Sequence, residues 1–451
     1  MNPRRNRRIL VVFVLWSFCA LPLLGQVPAG QWKGIMTRDG ADLEVQFTFH
    51  QRGTDVVGTF SSPPMHVMEY PFDSVTYSSP SLRFSLVGDS GDSTLFEGTL
   101  SERTMEGTFQ VGSDRGTFRL QQSTPAPLPY DSEQVNLANK DILLAGSLYT
   151  PRLPGRHPVI IFIHGSGSQT RWGRYRSYAD YFARRGVAAL IYDKRGTGQS
   201  AGDWRNSDFN DLAADALAGI ELLKKDPRID QQKIGIYGQS QGGGIAPLIA
   251  SQSDAVAFAI AVAGPAIPMW QTQAYALKSG VRDAGIDGDA LERANRFIDL
   301  LIQVLRSGEE RDQLTAAAET ARQNGEPWYE LLKPPPNDSY FWSFFRGIAD
   351  YDAAEYWRRV QVPTLIIEAG NDKYVPAEQS IAAMKQALQA SGTRDYTIVV
   401  LPNAPHTFLI TPDKGQPFRW PYPYPGLVDL LGAWVLYRTG VTTPAVGPLA
   451  Q

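Results

Sequence analysis

Residues 233–250 constrain the fold of this chain more than any other stretch. Lys233-Ile234-Gly235-Ile236-Tyr237 is short and apolar, as a buried strand is. Gly243-Gly244-Ile245-Ala246-Pro247-Leu248-Ile249-Ala250 is the small-residue run of a helix packed close to a sheet. Between them stands Gly238-Gln239-Ser240-Gln241-Gly242. Strand, sharp turn and helix form the context in which a G-x-S-x-G pentapeptide holds its serine out as a nucleophile. The flanking glycines remove Cβ atoms where the turn is tightest, so Ser240 can sit in a strained conformation with its Oγ exposed. In a Gly-rich loop the same five residues would be a chance match; the flanking elements give them weight.

The surrounding chain supports that scaffold. Residues 131–438 alternate strand and helix signals, the pattern of an α/β fold with a mostly parallel central sheet. Ile142–Tyr149, Val159–Ile163, Ala188–Tyr192 and Ala257–Ala263 read as strands, and Ser207 or Asp208 as the cap of a helix reaching about Lys225. Residues 265–359 interrupt the alternation with a stretch rich in helix signals, punctuated by Pro334-Pro335-Pro336. Upstream, residues 30–121 are poor in helix formers and carry short alternating runs such as Leu43, Val45, Phe47 and Phe49, which predicts a small antiparallel all-β sandwich or barrel. Pro125, Pro127 and Pro129 mark residues 122–130 as a semi-rigid linker.

The first 25 residues read as a secretory leader, with Arg4, Arg5, Arg7 and Arg8 ahead of the apolar run Ile9–Leu24. Export to the periplasm or exterior is expected, with an uncleaved membrane anchor as the alternative; Pro22 and the short run argue against a stable span after leader removal. Losing four arginines and no acid takes the net charge from −3 to −7, so nucleic acid is not an expected partner. Cys19 is the only cysteine, and its removal excludes disulfides and cysteine catalysis.

Three motifs together, His164-Gly165, Asp193-Lys194-Arg195-Gly196-Thr197-Gly198-Gln199-Ser200 and Gly238-Gln239-Ser240-Gln241-Gly242-Gly243, make residues 131–438 resemble the α/β-hydrolase superfamily. The resemblance is nearest to its dienelactone-hydrolase, cinnamoyl-esterase and prolyl-oligopeptidase or serine-aminopeptidase-like branch. It implies an open sheet with helices on both faces, and a helical lid at 265–359.

An activated serine needs a base, and the chain has five histidines. His50 and His66 fall in the β module, His157 precedes its strand, and His164 opens a loop where a structural hydrogen bond suffices. That leaves His406, just after the apolar run Tyr396–Leu401, where the superfamily carries its base. The base needs a carboxylate to hold its tautomer. Asp372 follows the strand Thr364–Glu368, on the loop where the resemblance places the acid; Asp350, Asp352 and Asp395 are rivals by composition, but none directly follows a buried strand. The order Ser240, Asp372, His406 is that of α/β-hydrolases. The oxyanion donors are the backbone N–H of Gln241 and, by resemblance, that of Ser166. Asp193 and Arg195 read as loop ties rather than chemistry.

A serine hydrolase cleaving small carboxylic esters through an acyl-enzyme is therefore expected, without cofactor or metal. Peptidase, aminopeptidase or thioesterase action on the same fold is the alternative, and a non-catalytic binding protein is the contrasting class. An aminopeptidase would favour an acidic pair in the insertion to hold a free amine; Glu309-Glu310 is the only such pair there and reads more simply as a solvated helix start. Trp270, Trp328, Tyr329, Phe341, Trp342 and Phe345 suit either an acyl pocket or helix packing.

Overall fold

The computed structural model describes residues 28–88, 91–412 and 415–442. The expected leader at 1–25, with Cys19, lies outside the described residues.

The N-terminal module contains β1 (Gly30–Arg38), β2 (Ala41–Arg52), β3 (Asp55–Ser62), β4 (Val67–Pro71) and β5 (Ser74–Ser78). It continues with β6 (Ser81–Val87), β7 (Ser93–Ser101), β8 (Thr104–Val111) and β9 (Asp114–Ser123). They form one antiparallel sheet in the order β4-β3-β2-β1-β9-β8-β7-β6-β5. Neighbours in the sheet are neighbours in sequence, except where β9 returns to pair with β1. The sheet curls into a half-barrel because its inward side chains share one core. The Phe47 ring on β2 touches Phe60 of β3, Phe84 of β6, Phe96 of β7 and Phe118 of β9. A flat sheet of this width would hold those rings too far apart to meet. Of the two expected forms, the curled sheet is the one found, not two packed sheets.

The linker is shorter than 122–130. Gln122 and Ser123 pair with Trp32 and Gln31, which extends β9, and Tyr130 already pairs with Pro151 in the next sheet. The Pro-rich connection is therefore 124–129, and the second module begins one residue earlier than 131.

That second module opens with β10 (Tyr130–Asn139), β11 (Ile142–Pro151), β12 (His157–Ile163), α1 (Arg174–Ala183), β13 (Ala188–Tyr192) and α2 (Phe209–Leu223). β14 (Ile229–Gln239), α3 (Gln241–Ala250) and β15 (Val256–Val262) follow. The insertion supplies α4 (Met269–Asp283), α5 (Gly288–Ser307), α6 (Arg311–Gln323), α7 (Tyr329–Leu332), α8 (Phe341–Ile348) and α9 (Ala353–Trp357). The chain then returns to the sheet with β16 (Thr364–Ala369), α10 (Ala377–Ser391) and β17 (Tyr396–Leu401). A small hairpin, β18 (Leu409–Ile410) and β19 (Tyr422–Pro423), precedes α11 (Leu427–Thr439).

The sheet order is β10-β11-β13-β12-β14-β15-β16-β17, with the strands from β13 to β17 parallel. Continuous apolar strands are what a sheet buried on both faces requires. Ile160 and Phe162 of β12 pack toward α1 and α11, while Val159, Ile161 and Ile163 pack toward α2 and α3. Asp208 caps α2 with a full capping box: its carboxylate accepts from Asp211 N, and Asp211 accepts from Asp208 N. From β12 the chain steps to β13 on one side and then crosses back to β14 on the other. Loops at the carboxyl ends of strands diverge at such a reversal and open a crevice there. Ile163 lies opposite Gly238, so that crevice is lined by the loop after β12 and the turn after β14.

The insertion has its own core. Phe297, Trp328, Trp342 and Phe345 bury against one another's helices, with Trp270, Tyr329 and Phe341 at its margin. The aromatic residues considered for an acyl pocket are thus helix packing. Among the described residues no helix is long and apolar enough to cross a membrane.

The two modules grip each other beside the crevice. Met68 of β4 exchanges backbone hydrogen bonds with Gly173 at the start of α1. Glu69 accepts two bonds from the buried Arg176 guanidinium at 2.9 and 2.8 Å. From the other side, the hairpin following residue 406 sends Trp420 against Phe109, with its Nε1 donating to Ala41 O at 3.0 Å.

Candidate active site

Ser240 lies between β14 and α3 with φ 56° and ψ −122°, a left-handed conformation that costs a non-glycine residue about 1–3 kcal/mol. The neighbouring glycines are sterically required. A Cβ on Gly238 would lie 2.0 Å from Gly242 O, and one on Gly242 would lie 2.4 Å from Ile163 O. Ser240 N donates to Val262 O at 2.8 Å, which fastens the elbow to β15.

The other two residues arrive from adjacent loops. Ala369 of β16 pairs with Leu401 of β17, and Asn371 N donates to Ala404 O at 2.9 Å, so the turns beyond the two strands run side by side. His406 Nε2 lies 2.9 Å from Ser240 Oγ, and His406 Nδ1 lies 2.7 Å from Asp372 Oδ2. The remaining carboxylate oxygen, Asp372 Oδ1, accepts from the backbone N–H of both Tyr374 and Val375 at 2.8 Å. Asp372 is 5% exposed, and the exposed Tyr374 ring covers one side of the imidazole at 5.2 Å. The structure thus brings Ser240, Asp372 and His406 together from three stretches of chain. The rival acids are engaged elsewhere: Asp350 with Arg306, Asp352 as the cap of α9, and Asp395 with Arg438.

Gln241 opens α3, and the first N–H groups of a helix have no partner inside it. On the facing loop, the Gly165 amide donates to Gln169 Oε1 at 2.9 Å, and the next residue, Ser166, is exposed at the crevice wall. His164 is buried between Tyr175 and Tyr192. Burial, then the nearby Lys194 ammonium, bring its imidazole down to about 3, so it stays neutral and structural. Asp193 ties Arg171 to Gln199 N, and Arg195 binds Asp215 and Ser207.

Several neighbours of the site carried no functional reading in the sequence. Gln169, besides holding Gly165, accepts from Tyr175 OH at 2.9 Å. Tyr275 of α4 donates to Asp372 O at 2.8 Å, which joins the insertion to the acid's loop. Lys194 Nζ faces Gly165 O, Gly167 O and Gln241 Oε1. Its only signal was a basic residue at the end of a buried strand.

Glu368, on β16, is fully buried, and no side chain pairs with its carboxyl group. Burial, then the charge of Asp372, push it well above the ordinary glutamic acid range, with the Gly264 amide opposing them. The folded chain therefore keeps a proton that the unfolded chain releases above about pH 4.3. Stability should fall with rising pH from there, by up to about 1.4 kcal/mol per pH unit for this one group. Glu368→Gln is expected to flatten that slope. Chemical denaturation of both proteins at pH 5 and pH 7 checks it, and parallel pH dependence in the two would contradict it.

A family model described as serine aminopeptidase, S33, matches residues 155–413. Esterase EstD of Thermotoga maritima is 22% identical over 312 residues, 67% of this chain and 68% of that protein. The quorum-quenching protein AidA of Acinetobacter baumannii is 31% identical over 118 residues, 26% of this chain and 38% of that protein. Among solved structures, the α/β hydrolase GrgF from Penicillium superposes with a TM-score of 0.44 at 19% identity, covering 69% of this chain and 99% of that one.

Proposed function

The chain belongs to the α/β-hydrolase family described as serine aminopeptidase, S33, and is a hydrolase; from that premise we propose that it cleaves carboxylic esters through an acyl-enzyme on Ser240. The observation carrying this proposal is the unbroken relay from Ser240 Oγ through His406 to Asp372, at 2.9 and 2.7 Å. Ser240 Oγ attacks the ester carbonyl while His406 Nε2 takes its proton. Asp372 steadies the imidazolium, and the amides of Gln241 and Ser166 hold the oxyanion. His406 returns the proton to the departing alcohol, and water then repeats the sequence to release the acid.

Ester rather than amide cleavage is supported by the likeness to EstD, which extends over two thirds of both chains. An aminopeptidase would need an acid to grip the free amine. Glu309 and Glu310 are exposed on the turn between α5 and α6, where Glu310 accepts from Gln303. We assign the insertion the part of a lid, since Tyr275 reaches the acid's loop and Tyr340 and Phe344 pack on Trp204. Export through the leader remains part of the proposal.

A fluorophosphonate probe, followed by peptide mapping, is expected to label Ser240. In parallel, p-nitrophenyl acetate and butyrate should be turned over at least tenfold faster in kcat/KM than aminoacyl-nitroanilides or acyl thioesters. A label on another residue removes Ser240 from its role; a preference for the anilide replaces the esterase with an aminopeptidase.

A further inference from the structure

We propose that Lys194 is a positioning residue of the oxyanion hole, aiming and polarising the Ser166 amide by gripping the same peptide unit from behind. This rests on the acyl-enzyme reading above. Lys194 is 2% exposed at the carboxyl end of β13. Its Nζ lies 2.8 Å from Gly165 O, 3.2 Å from Gly167 O and 2.8 Å from Gln241 Oε1. An ammonium has three donors and no acceptor, and here it meets three acceptors and the face of the Trp204 ring at 5.2 Å.

The identity of those acceptors gives the arrangement its meaning. The Gly165 carbonyl and the Ser166 N–H belong to one planar trans peptide, so they point in opposite directions. Holding the oxygen from inside the protein turns the N–H outward, into the crevice. Drawing electron density toward that oxygen also makes the N–H a stronger donor. The bond to Gly167 O holds the loop again just beyond Ser166, where Gly167 takes φ +78°. The bond to Gln241 Oε1 ties this loop to the residue carrying the other oxyanion donor. One side chain thus spans both halves of the hole, and a hole works only when its donors are set before the oxyanion forms.

The charge is sensitive to pH. Burial brings the ammonium down to about 7, and the carboxylate of Asp215 on α2 opposes that fall. The other groups facing it are already committed. His164 at the end of β12 is held neutral, Arg195 is paired with Asp215, and Asp193 is paired with Arg171. Losing one proton leaves two donors for three oxygens.

The test compares wild type, Lys194→Met and Lys194→Arg on p-nitrophenyl butyrate and on an alkyl boronic acid, whose tetrahedral adduct on Ser240 places an oxygen in the hole. In K194M, kcat should fall by about 10²–10³-fold, the loss typical of one oxyanion donor, with KM within about threefold. Boronate affinity should fall in step with kcat/KM, and K194R should recover part of both. The ratio of wild-type to K194M kcat should shrink from pH 6 to pH 9, a comparison in which the titration of the base cancels. If K194M does not unfold cooperatively, Lys194→Gln, with two donors and no charge, carries the same comparison. Unchanged boronate affinity in a folded variant overturns the proposal while Ser240→Ala still reads as inactive. Activity surviving in Ser240→Ala would instead overturn the acyl-enzyme reading itself.

Discussion

Ser240→Ala is expected to lower ester turnover by about 10⁶-fold, and His406→Ala by a similar factor. The combined variant should be no worse than either alone. The reason is geometric. Ser240 Oγ has no use as a nucleophile unless His406 Nε2, 2.9 Å away, accepts its proton, and every later proton transfer by the imidazole acts on the acyl-enzyme that Ser240 forms. Removing either group removes the same step, so the losses do not add. What survives should be a rate about 10³–10⁴-fold above water, from substrate binding and the oxyanion amides alone. The change at Ser240 removes one oxygen from a half-buried position without altering the backbone, so thermal unfolding should shift by only a few degrees. Single-turnover rates on p-nitrophenyl butyrate for the two single variants and the double variant decide it. Additive losses would mean that the two side chains act in separate steps, and the triad assignment would fall.

The elbow was legible because its pentapeptide and the strand and helix that give it context lie in one continuous stretch, residues 233–250. Gly238 and Gly242 are required by close backbone approach, and the strained serine between them follows from the turn. The parallel strands were legible for a related reason, since burial on both faces leaves an uninterrupted apolar run. His406 and Asp372 came from counting candidates and from strand order. Lys194 did not, because two of its partners are main-chain oxygens 27 and 29 residues away with no side-chain signature, and the third, Gln241 Oε1, lies 47 residues away. The grip of Trp420 on the β module joins positions 379 residues apart, beyond any local pattern. The insertion's aromatic residues show the opposite difficulty. Helical spacing of large rings is the same for a pocket wall and for a core, and only packing decided for the core. For the β module, period-2 alternation suits two packed sheets as well as one curled sheet. The pairing of β1 with β9 made the difference.

Asp372→Asn should cost about 10⁴-fold in kcat while leaving KM and the fold nearly unchanged, and the hydrogen bonds around the carboxylate explain why so small a change does so much. Oδ1 of Asp372 is claimed by two donors, Tyr374 N and Val375 N, both at 2.8 Å. An asparagine here must turn its carbonyl oxygen toward that pair, since an amide nitrogen would face two N–H groups with nothing to accept them. Its NH2 group then points at His406 Nδ1, where Asp372 Oδ2 stood at 2.7 Å. A donor at that position demands an acceptor, so the imidazole must carry its proton on Nε2, the nitrogen facing Ser240 Oγ. In that tautomer His406 offers Ser240 a proton and cannot take one. The backbone contacts remain satisfied, so stability should change little. Nitrogen-15 NMR of labelled imidazole should report the proton on Nδ1 in the wild type and on Nε2 in the variant. A loss below about tenfold, or an unchanged tautomer, would mean that another acid orients the base. Glu368 could not replace it while buried and protonated, so the acid would have to come from a rearranged loop.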